Sequence, residues 1–131
     1  MRLRVLLYVP SRLYGFCGDE SGRRVFFHAS HFNPMSPGGP PPLLGEFVDV
    51  ELAEEGRASS VRRVRSMPPI TGVVDSFDAK TGWGFIRGDD RVSYFLHRSD
   101  VVHNRLLVRG QRVQFHAGHK NHRPRACYVE V

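Results

Sequence analysis

The sequence predicts an all-β protein built as two five-stranded barrels in tandem. Three observations carry that prediction: an internal repeat, short β-rich runs punctuated by turn signals, and weak helical periodicity throughout. The repeat comes first. Val25-Phe26-Phe27-His28-Ala29-Ser30 returns as Tyr94-Phe95-Leu96-His97-Arg98-Ser99, 69 residues on. The same offset carries Tyr14-Gly15-Phe16-Cys17 onto Trp83-Gly84-Phe85-Ile86, and Val5 and Tyr8 onto Val74 and Phe77. Leu44 to Val50 then parallels Arg109 to Phe115 at offset 65, so the first repeat holds four extra residues in the loop between. Arg57-Ala58 and Val61 match Arg125-Ala126 and Val129 at offset 68. The units span 1–66 and 72–131, joined by a linker over 67–71.

The elements of the second unit follow in order. Val73 to Phe77 is rich in β-formers and ends at Asp78-Ala79-Lys80-Thr81-Gly82, a turn signal. Gly82 to Arg87 makes a second strand, closed by the polar turn Gly88 to Arg91, and Ser93 to His97 a third. The best short helical turn is Ser99 to His103. Arg112 to Ala117 and Ala126 to Val131 supply the last two strands, and His116 to His122 reads as a strand end running into a loop. Five short strands with a longer connection between the third and fourth suit a small closed barrel of the OB type.

Composition agrees. The 131 residues are 40% hydrophobic and 24% charged, enough apolar material to fold and too much for a disordered tail. Val5 to Val9 is too short to span a membrane, so no membrane partner is expected. Met1-Arg2-Leu3-Arg4 resembles the start of a signal peptide, but Pro10, Arg12 and aromatic residues follow, and export is not expected. Cys17 and Cys127 give no disulfide framework. As buried thiols in strand-like segments they fit a cytoplasmic protein. The net charge of +6 points to a polyanionic partner.

Strand side chains alternate between faces, and a barrel this small fills its interior with one face only. Both faces here are apolar or aromatic. With Gly15 and Gly84 assigned inward beside Ile, Leu and Val, the outer face holds Tyr14, Phe16, Phe26 and His28 in one unit. In the other it holds Trp83, Phe85, Phe95 and His97. Flat rings with an edge donor and a basic surround are what unpaired bases need.

Lys80-Thr81-Gly82-Trp83-Gly84-Phe85-Ile86 and Tyr94-Phe95-Leu96-His97 resemble the paired ribonucleoprotein-type motifs of cold-shock domains. Thr71 to Val74 and Val108 to Val113 extend the likeness over nearly all of 70–131; the first unit resembles the family more faintly. The resemblance implies OB-fold barrels that bind single-stranded RNA or DNA, as RNA chaperone or regulator of transcription or translation. By position, the stacking residues are Trp83, Phe85, Phe95 and His97, with Tyr14, Phe16, Phe26 and His28 as counterparts. Lys80 and Arg87 are further candidate nucleic-acid contacts, Arg98 is placed to stack on a base or grip a phosphate, and Lys120, His122 and Arg123 are candidate phosphate contacts. The family's Lys-Trp pair in the first strand is replaced by Asp75-Ser76 and by Leu6-Leu7. The aromatic that normally follows the third-strand His is replaced by Arg98 and by Ala29.

Charge separates the units. Residues 1–56 carry −2, residues 57–66 carry +4 and residues 67–131 carry +4. Arg57, Arg62, Arg63 and Arg65 are therefore expected on the basic surface with the second unit, which reads as the better binder. The first unit, or the Pro-rich loop 33–42, is the expected docking place for any protein partner, and a protein-interaction module is the competing reading of both faces. His116, His119 and His122 read as a basic loop rather than a zinc site. Asp19-Glu20 and Asp89-Asp90 read as turn residues. Neither a catalytic constellation nor a phosphate-binding glycine loop is present, so no enzyme activity, cofactor or metal is expected.

Overall fold

In the computed structural model, described over residues 1–35, 39–54, 56–121 and 123–131, with Asn104 as backbone only, the chain divides into two compact units, Met1–Met67 and Pro68–Val131. Ser36-Pro37-Gly38 of the Pro-rich loop and His122, both singled out by the sequence, lie outside the described residues.

The first unit comprises β1 (Arg2–Val9), β2 (Tyr14–Gly18), β3 (Arg24–His28), β4 (Phe32–Asn33), β5 (Phe47–Glu54) and β6 (Arg57–Arg63). Five of these form a ring in the order β3-β2-β1-β5-β6, closed by a parallel pairing of Phe26 with Arg57. The two-residue β4, which the sequence did not predict, runs parallel to β6 through Phe32 and Val61.

The second unit is a closed barrel of β7 (Ile70–Asp78), β8 (Trp83–Gly88), β9 (Ser93–His97), β10 (Arg112–Lys120) and β11 (Arg123–Glu130), with the parallel closure at Phe95 and Arg125. Two 3₁₀ turns, Arg98–Asp100 and Val102–Asn104, replace the single helical turn expected at Ser99–His103, because Val101 is extended between them. Ile70 and Thr71, assigned to the linker by sequence, pair with Phe115 and Gln114 and belong to β7. The stretch after Ala117 is strand rather than loop. β10 continues to Lys120, which pairs with Arg123 across a turn at Asn121, where φ is 53°.

The alternation sorts the two faces as expected. Cys17, Val25 and Phe27 line one interior, and Ile86, Leu96 and Phe115 the other, while neighbouring residues along each strand face out. Gly15 and Gly84 lie where strands approach too closely for a side chain. A Cβ at Gly84 would meet the Ser76 carbonyl oxygen and sit 2.7 Å from Phe77 Cα; one at Gly15 would meet Leu7 O and Phe27. Both first strands bulge at the same place. Pairing with the second strand jumps from Val5 to Leu7 and from Val74 to Ser76, leaving Leu6 and Asp75 as the extra residues. Such bulges sharpen the twist that lets a short sheet close.

One charge expectation is overturned. Arg63 is only 1% exposed and does not join the basic surface. It donates to Glu46 at 2.7 and 2.8 Å and to the carbonyls of Pro40 and Pro41 at 2.9 Å each. Glu46 also accepts the Leu43 N–H at 2.8 Å. A buried charge persists only when its partners satisfy it, and this pair ties the end of the Pro-rich loop to the barrel.

Candidate nucleic-acid interface

The register of the second barrel arranges its outward residues in two rows across the sheet. One row runs Asp78, Trp83, His97; the next runs Ser76, Phe85, Phe95, Arg125. Trp83 is 45% and Phe85 37% exposed, and Phe95 is half-buried between its neighbours. Trp83 stacks toward Phe95 at 6.2 Å between centroids and 24° between planes. Phe85 meets both edge-on, at 6.1 and 5.9 Å. Offset and edge-to-face packing are the favoured geometries for aromatic pairs, so the rings brace one another while Trp83 and Phe85 stay exposed.

His97 completes the upper row with a defined tautomer. Its Nδ1 accepts the Ser99 N–H at 3.1 Å and contacts the Ser99 hydroxyl at 2.7 Å. An acceptor Nδ1 places the ring proton on Nε2, so the edge that remains carries a donor.

The cations stand around these rows. Arg87 follows Trp83 and Phe85 on the outward face of β8, and Lys80 sits in the β7–β8 turn, its N–H held by Asp78 at 2.8 Å. Arg98 follows His97. Among the described residues, none of Lys80, Arg87 and Arg98 is engaged in an ion pair. Lys120 and Arg123 flank the β10–β11 turn. Arg125 lies 5.7 Å over the Phe95 ring and donates to Asp100 at 2.8 Å. Burial raises the Asp100 carboxyl above its ordinary range, against the pull of Arg125. Asp89 and Asp90 act as turn residues: Asp89 accepts from Thr71 and Arg112, Asp90 from Tyr94 at 2.5 Å. His116 and His119, three apart in β10, point to opposite faces of the strand.

The family model of the 'Cold-shock' DNA-binding domain matches residues 70–131, the span of this barrel. Residues 70–131 are a cold-shock domain. Among solved structures, drosophila Unr CSD456 is similar to the chain at 18% identity and a TM-score of 0.45, over 98% of this chain and 59% of that one. No curated protein matches the chain.

The first barrel repeats the rows of the cold-shock domain position by position. Val9, Tyr14 and His28 form one row; Leu7, Phe16, Phe26 and Arg57 form the other. Tyr14 stacks toward Phe26 at 5.7 Å and 25°, and Phe16 meets them edge-on at 6.1 and 5.7 Å. His28 Nδ1 accepts the Ser30 N–H at 3.1 Å. Arg57 lies 5.6 Å over Phe26 and pairs with Glu54. The rows differ at the first strand, where Leu7 and Val9 replace Ser76 and Asp78; Leu7 is 45% exposed. Both aromatic sets lie together as the strand alternation implies, and Arg125, which alternation within its own strand does not mark, joins the face through its pairing with Phe95. The repeat of Arg57-Ala58 as Arg125-Ala126 was the available signal.

Proposed function

We propose that the protein binds unpaired RNA or DNA by stacking bases on Trp83, Phe85 and Phe95. In this reading the His97 Nε2–H serves a base edge, and Lys80, Arg87, Lys120 and Arg123 serve phosphates. The observation that carries the reading is the braced, outward-facing ring triad of the cold-shock domain, with cations at its margin that have no ion-pair partner among the described residues. Stacking one base on an aromatic ring contributes about 1–3 kcal/mol and tolerates any base, so the chemistry selects unpaired strands over duplex. The biological output that fits is chaperoning of RNA structure or control of transcription or translation, in the cytoplasm.

Tyr14, Phe16, Phe26 and His28 are proposed as a second stacking surface. Leu7 and Val9 support a second reading for this unit, because they extend the rings with apolar surface where a protein partner would gain and a phosphate backbone would not. Fluorescence anisotropy of labelled single strands, with duplex as control, tests the proposal. Phe95→Ala is expected to weaken single-strand binding about five- to a hundredfold. Phe26→Ala reports the share of the first unit. Unchanged affinity in both variants would overturn the stacking reading.

A further inference from the structure

Beside the platform lies a feature that stacking does not use. A cleft of about 470 Å³ is lined by Phe77, Ala79, Arg98, Ser99, Arg105 and Leu106. Its size is that of a small-ligand pocket, which typically spans about 300–1,000 Å³. Phe77 packs against the barrel core, and Leu106, 74% exposed, supplies apolar surface from the β9–β10 loop. Arg98 and Arg105 bring guanidinium groups to this apolar cleft. Among the described residues neither has an ion-pair partner, whereas Arg112 and Arg125 of the same barrel do.

Arg98 is seated by the backbone beneath it. Its N–H donates to the Gly82 carbonyl at 2.8 Å, and its side-chain stem lies across Gly82, where a Cβ would come within 2.8 Å of Arg98 Cδ. A flexible side chain is thereby laid over one surface, which lowers the cost of ordering it on a ligand. The cleft also adjoins the platform through the chain itself, since Arg98 follows His97 and Gly82 precedes Trp83.

Apolar walls with guanidinium forks suit the faces and one edge of a planar base. A phosphate would leave Phe77, Ala79 and Leu106 without a role. Among the bases, guanine presents two acceptors, O6 and N7, on one edge in the spacing of an Arg fork; adenine places a donor at N6, and uracil offers a single acceptor there. We propose that this cleft reads guanine, with Arg98 as the forked contact and Arg105 supporting it, and that the protein prefers strands in which a guanine neighbours the stacked bases. This rests on the stacking reading above.

The test measures anisotropy of labelled octauridylate against the same strand carrying one central guanine, adenine, inosine or 7-deazaguanine. Guanine and inosine, which share O6 and N7, are expected to tighten binding about tenfold, and adenine and 7-deazaguanine to leave it near the uridylate value. Arg98→Lys keeps the stem and the charge but not the fork. It is expected to abolish the guanine preference while changing octauridylate affinity less than about threefold. Equal binding of guanine and adenine strands overturns the guanine proposal and leaves stacking intact. So does an Arg98→Lys variant that weakens every strand by one common factor, the mark of a phosphate contact. Absence of binding by all strands overturns both.

Discussion

Phe95 and Arg125 are the pair through which β9 and β11 meet in parallel, and the Arg125 guanidinium lies 5.7 Å over the Phe95 ring it pairs with. One residue pair therefore closes the barrel and finishes the outer face. Arg125 also neutralises the half-buried Asp100 at 2.8 Å. Arg125→Ala is expected to lower stability by about 1–3 kcal/mol, because Asp100 loses its partner in a desolvated place. It is also expected to weaken single-strand binding. Urea unfolding followed by circular dichroism reads the first effect and anisotropy the second; a variant that matches the parent in both would remove Arg125 from the account.

The close approach of the first and second strands predicts that neither Gly84 nor Gly15 tolerates a side chain. Gly84→Ala would press a methyl onto the Ser76 carbonyl and Phe77 Cα, and overpacking of this kind costs about 1–3 kcal/mol or more. Thermal unfolding of Gly84→Ala and Gly15→Ala should show a clear fall in midpoint for each. An unchanged midpoint would mean that the strands can separate there at little cost.

The buried Glu46–Arg63 pair predicts an asymmetry between single and double replacement. Glu46→Gln strands an uncompensated guanidinium and is expected to destabilise by about 3–5 kcal/mol. Glu46→Leu with Arg63→Met removes both charges and should cost much less. Denaturation of the two variants side by side decides the matter, and equal losses would contradict it.

Acid unfolding should depend on Asp89. Its carboxylate is held below the ordinary range by the Thr71 hydroxyl and then by Arg112, which donates at 2.9 Å. Because the folded value lies below the unfolded one, this contribution is present above about pH 4 and is lost as the pH falls through the folded value. The melting temperature of Asp89→Asn should consequently fall less steeply than the parent's on acidification. Parallel curves would show that Asp89 gives no pH-dependent support.

Cys17 should be chemically silent in the folded protein. Burial, with a smaller push from Glu46, raises its thiol to about 12, so at neutral pH it is protonated as well as covered. Iodoacetamide labelling followed by mass spectrometry should modify Cys17 far more slowly in native buffer than in urea, and equal rates would contradict the burial.

Much of this architecture was legible in the sequence because strand alternation is a strong signal. Gly84 and Ile86 against Trp83 and Phe85 fix which residues face in, and the repeat fixes the same choice for Gly15 and Cys17. Most of what escaped detection is long-range. Arg63 reads as surface charge until Glu46, seventeen residues away, is folded beside it. The bulges at Leu6 and Asp75 leave the local β-forming composition unchanged, so nothing nearby marks the skipped residue. Arg125 joins the face only through a parallel pairing with a strand thirty residues earlier. Lys120 reads as loop because the hairpin turn rests on Asn121 in a left-handed conformation, without a glycine to announce it.

The most direct test of the central claim uses Trp83, the one tryptophan in the chain and a member of the exposed triad. Its fluorescence is titrated with oligo-dT and oligo-U at two salt concentrations, with duplex DNA alongside. Single strands are expected to quench it, less strongly at higher salt as counterion release requires, and duplex is expected to leave it unchanged. Unchanged Trp83 emission with every strand would contradict base stacking and give this face to a protein partner.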